Sequence, residues 1–172
     1  MVVLLILVLL DVAPLGRQEE SGKNGLTASE AGRCLTDKNI PMLWLAGHVA
    51  DARALLLGIL GQPFATTWGN LFGRGAVLQE SAQYPSIEEI EQVLGEINRK
   101  LYATLEGLDD AQLAKPAEGI PNAKTVADQI ALFAMHDSYH VGQMAYVRKE
   151  LGYPAIQQSL ANSVRFLSYP RF

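Results

Sequence analysis

The chain has 172 residues, 49% of them hydrophobic and 19% charged, with a formal net charge of −4. That length suits one domain able to bury a core of its own, and the balance is that of a globular chain, not a disordered one. Lysines and arginines are scattered, with no basic run or stripe to meet a phosphate backbone, so no nucleic-acid partner is expected.

In chain order, the first segment is MVVLLILVLL, the one compositional anomaly. It is too short to cross a bilayer, which takes roughly 20 apolar residues, so no membrane partner is expected. It lacks the basic start of a secretory signal, and DVAPLG after it is a poor cleavage site. The run therefore reads as a helix ending near Pro14 and buried on most sides, with a signal peptide as the alternative. The polar stretch from Leu15 to Asn39 contains TASE, a capping-box pattern that predicts a short helix over Ala28–Cys34. Cys34 is the single cysteine and can form no internal disulfide, which fits a reducing, cytoplasmic compartment. It is expected to be an ordinary half-buried residue.

A long helix is predicted from about Ile40 to Leu60, stopped by Gly61 and Pro63. After a Gly-rich connection to Pro85, apolar residues recur at Ile87, Ile90, Leu94, Ile97, Leu101 and Leu105, the period of an amphipathic helix. Ser86 and Glu89 form a capping box at its start, and Gly107 marks its end. The next connection, Leu108 to Lys124, holds a turn of helix at Asp109–Leu113. The last helix runs from Thr125, which caps it with Asp128 at the third position, to Leu151, before Gly152 and Pro154. It is expected to be the central one. No strand alternation, repeat or low-complexity segment interrupts this pattern. The fold class is all-α: a four-helix bundle with long crossover connections over residues 1–154, and a tail, 155–172, packing on it.

All three histidines lie in apolar segments. At about 100° per residue, His136 and His140 share a face with Gln129, Leu132, Phe133, Gln143, Met144 and Val147. His48 falls in a stripe with Trp44, Leu45, Ala52, Leu55, Leu56 and Ile59, so all three rings point inward. Asp137 and Tyr139 fall off the histidine face; Asp137 faces solvent or supports a neighbour. An inward imidazole must satisfy two ring nitrogens away from water. One divalent metal does so for one nitrogen of each ring, leaving the other to donate to a carbonyl or carboxylate. Three histidines without a fourth protein ligand also leave an open position, as in reactive sites. The competing reading is three hydrogen-bonded core histidines. HDSYH is close to the H-E-x-x-H metalloprotease pattern, but Asp137 stands where the glutamate base belongs and no third ligand follows, so that chemistry is not expected.

The segments NIPMLWLAGHVADARALLLGILGQP, LFGRGA, YPSIEEIEQVL and HDSYHVGQMAYVRKELGYP resemble the DinB-like superfamily of damage-inducible proteins over roughly Leu26 to Ala155. The most specific parts are H-x3-H-x2-Q from His136 to Gln143 and the Gly-His pair at His48. The apolar N-terminus departs from the family pattern, whose first helix is longer and amphipathic. The resemblance implies a four-helix bundle, a homodimer, and one divalent ion, zinc or nickel, on His48, His136 and His140. It also implies a metal-dependent enzyme that acts on a small-molecule substrate with an activated low-molecular-weight thiol or water, as a thiol S-transferase or hydrolase. The alternative is a non-catalytic metal-binding or stress-response bundle. Gln143, Trp44 and Met144 are the candidates for residues behind the ligands or lining a pocket. Trp68, Phe72 and Tyr84 are further aromatic pocket candidates that read more simply as core.

Overall fold

The computed structural model describes residues 26–153. The apolar N-terminal run and the 155–172 tail lie outside the described residues. Five helices follow one another: α1 (Ala28–Ala31), α2 (Met42–Ile59), α3 (Ile87–Glu106), α4 (Asp110–Leu113) and α5 (Val126–Glu150), with a 3-10 turn at Ser81–Gln83. Among the described residues there is no strand, only an isolated bridge between Pro116 and Thr125.

The caps explain the boundaries. Thr27, Ser86, Asp109 and Thr125 each accept a hydrogen bond from the third helical N–H, and the residue at that third position answers their own N–H. α1 stops at Ala31, three residues short of the expected Cys34, because the turn already closes on Gly32, whose N–H reaches the Ala28 carbonyl. Cys34 is accordingly exposed, not half-buried. At the far end Gly152 takes a φ of 84°, the left-handed conformation that ends a helix with least strain in glycine.

All six periodic apolar residues of α3 are buried. Among the described residues, however, it is α2 and not α5 that packs on both other long helices. Its sequence shows why: apolar residues surround the whole helix, and 13 of its 18 residues are buried. By length and composition α2 would pass for a membrane span, but 61% of it is buried inside the structure, as in a core helix. The expected stripe through His48 holds except at two positions. Leu55 is 60% exposed and Ile59 37% exposed.

Two ties fix the ends of α5. The buried Gln129 side chain donates to the Glu118 carbonyl at 3.0 Å, anchoring the preceding loop. Tyr153 donates its hydroxyl to Glu30 on α1 at 2.7 Å, while the Arg148 guanidinium lies 5.2 Å over the Tyr153 ring. The Tyr153 hydroxyl, with Thr27, lowers the Glu30 pKa to about 2.

Candidate metal centre

His48 stands midway along α2, and His136 and His140 stand one turn apart on α5. The α2–α5 contact brings one ring nitrogen of each within 4.8 Å of the others. Ring centroids are 4.9 Å apart for His48 and His136, 4.8 Å for His48 and His140, and 4.4 Å for His136 and His140. The three histidines singled out from the sequence thus meet in space.

What the other ring nitrogens do is more informative. His48 Nδ1 lies 2.6 Å from the Phe72 carbonyl oxygen, His140 Nδ1 lies 2.6 Å from Gln143 Oε1, and His136 Nδ1 lies 3.4 Å from Asp137 Oδ1. These oxygens only accept, so Nδ1 of His48 and of His140 carries the proton and their Nε2 keeps its lone pair, and the longer Asp137 contact favours the same tautomer at His136. His48 Nε2 and His136 Nε2 are 3.0 Å apart. Two bare lone pairs at that distance repel unless a proton or cation lies between them. Burial, the largest influence on both, holds His48 and His140 below the ordinary histidine pKa of 6.5, against the opposing pull of Phe72 and Gln143. Near pH 7 these imidazoles are neutral, the form a metal requires. An all-imidazole donor set oriented through its Nδ1 partners fits a divalent transition-metal ion.

The surroundings explain how the rings are held. Gly47 allows Phe72 to approach: a Cβ at Gly47 would stand 2.4 Å from the Phe72 ring, so only glycine fits. Phe72 itself is fully buried and stacks on Tyr84, which lets its carbonyl reach His48. Trp44 stacks on His48 with centroids 4.7 Å apart and donates its indole N–H to the Leu71 carbonyl, pinning the same loop. Gln143 holds the His140 ring, whereas Met144, with no exposure, is core packing. Trp68, Phe72 and Tyr84 are likewise buried core.

Asp137 does not face solvent. It is 2% exposed and accepts from Arg53 Nε at 2.7 Å, and Arg53 also donates to Asn98 on α3. A buried ion pair therefore links all three long helices directly behind His136. Pattern reading missed this pair, although one signal was present: Arg53 is the only lysine or arginine in a mostly apolar helix. Such a cation needs an anion from a facing element. The Phe72 carbonyl had no signal beyond the glycine at 47. Asp51, one turn past His48, is half-buried, and burial raises its carboxyl, but it does not join the cluster. The His136 side chain keeps 30% exposure, so the cluster is open to solvent on that side.

The family model described as the DinB superfamily matches residues 11–144. No curated protein and no solved structure matches the chain.

Proposed function

Because the chain belongs to the DinB superfamily, we propose that it is a metal-dependent enzyme in which His48, His136 and His140 hold one divalent ion, zinc or nickel. The observation that carries this is the shared orientation of the three rings. Each Nδ1 is matched to an acceptor, and the lone pairs that remain converge. Core histidines serving only as packing would have no reason to direct two lone pairs at each other across 3.0 Å.

A bound divalent ion supplies positive charge that favours the deprotonated form of a neighbouring thiol or water. The chain's own residues do the rest. Phe72, Asp137 and Gln143 fix which nitrogen of each ring is bare, and Trp44 limits rotation of His48. The exposed edge of His136 is the side from which a thiol or water and its electrophile reach the centre. Thiol transfer or hydrolysis is the reaction class that such a site serves.

The proposed architecture is a four-helix bundle over residues 1–154, with the N-terminal run as its fourth helix and the tail packed against it. Exposed Leu55, Ile59 and Val77 favour pairing of two copies as a homodimer. The exposed, unpaired Cys34 suits a reducing, cytoplasmic setting.

Metal analysis of the purified protein tests the central claim, with His140→Ala as the comparison. One equivalent of metal in the wild type and little in a folded variant is the expected result. Equal metal in both would return the histidines to core packing.

A further inference from the structure

Beside the histidines, between α5 and the residues that lead into α2, lies a cleft of about 390 Å³ lined by Asn39, Ile40, Tyr139, Gly142, Gln143 and Tyr146. This is within the size range of small-molecule sites. Tyr139, Gly142 and Tyr146 fall at successive turns of one helix face. The two tyrosines are 63% and 59% exposed, and the glycine between them is exposed as well. A Cβ at Gly142 would meet nothing within 4 Å. Glycine weakens a helix interior relative to alanine, and no packing within the described chain requires it here. Its effect is to leave a slot floored by bare backbone between the two phenol side chains.

The polar groups of the cleft have a definite sense. Asn39 Oδ1 accepts from the Thr36 hydroxyl at 2.6 Å, and Gln143 Oε1 is taken by His140 at 2.6 Å. Each amide therefore offers its NH2 to a ligand. The Gln143 NH2 is only loosely engaged, 3.4 Å from the Tyr139 hydroxyl. Gln143 connects the cleft to His140 directly, and Tyr139 meets the His140 ring edge-on at 5.0 Å.

We propose that this cleft is a small-molecule site: a planar aromatic ring against Tyr139 and Tyr146 over Gly142, bearing an oxygen acceptor that takes the amide hydrogens of Asn39 and Gln143. This site is independent of the metal-enzyme reading above, whose substrate enters past His136. Aromatic pairing favours the planar ligand by several-fold over a saturated ring of the same size.

The test is a titration of the full-length, isotopically labelled protein with benzamide, followed by NMR, with cyclohexanecarboxamide as the saturated counterpart. Saturable shifts at Gly142, Tyr139 and Tyr146, several-fold weaker for the saturated amide, are expected. Gly142→Leu fills the slot without an internal clash and should abolish them. His48→Ala should lose metal yet keep benzamide binding, so the two readings fail separately. Absence of saturable shifts, equal binding of both amides, or undiminished binding in a folded Gly142→Leu variant would overturn the proposal.

Discussion

Replacing Asp137 with asparagine removes one charge from the buried pair behind His136 while keeping the side chain's shape. The Arg53 and Asp137 side chains are only 2% and 3% exposed, so solvent screens neither charge. Removing one partner of a buried pair typically costs about 3–5 kcal/mol, because the other charge is left uncompensated. Asn98 remains as an acceptor for Arg53, and the new amide oxygen can still accept from it, which argues for the lower end, about 3 kcal/mol. For a chain of this size each kcal/mol corresponds to roughly 2–4 °C in Tm, so thermal unfolding of the metal-free variant should fall by roughly 6–12 °C. Zinc affinity, read by competition with a chromophoric chelator, should drop by about 10- to 100-fold, the usual consequence of altering a carboxylate behind a ligating histidine. The double variant Arg53→Met/Asp137→Leu separates the two effects. It replaces the pair by apolar groups and should recover most of the stability, but not the zinc affinity. A Tm within 1–2 °C of wild type for Asp137→Asn, or a double variant with full zinc affinity, would refute the reasoning.

Gly47→Ala should destabilise by about 1–3 kcal/mol in chemical denaturation, since the new methyl overlaps the Phe72 ring and overpacks a full core. It should also weaken zinc binding, because Phe72 cannot shift without moving the carbonyl that holds His48. Thr125→Ala removes the hydroxyl that caps α5 and should cost about 1 kcal/mol in the same assay, with metal content unchanged. The lowered pKa values of His48 and His140 fix the sign of the metal-free protein's pH response. The folded state takes up these protons less readily than the unfolded chain, so stability is full above pH 6.5 and is lost as pH falls through the folded-state values. Metal occupancy should likewise persist somewhat below pH 6.5 before it falls; a midpoint above 6.5 would contradict the burial of these rings.

The local elements were legible in the residues because their causes are local. The six apolar positions of α3 and the reciprocal caps at Ser86 and Thr125 act within a few residues, and each appears in the structure as written. The inward direction of His48, His136 and His140 was likewise a matter of helical period. Four things depended on tertiary packing. Among the described residues the central place fell to α2, since an all-round apolar helix is buried by whatever surrounds it. Leu55 and Ile59 obeyed the period yet reached the surface of the described chain, because the period gives a direction and not what packs there. Asp137, placed off the histidine face by the same arithmetic, is buried because Arg53 meets it from α2 across 84 positions. The proton positions that leave the histidine lone pairs bare depend in part on a backbone carbonyl 24 residues from His48, and a backbone carbonyl carries no mark in any sequence.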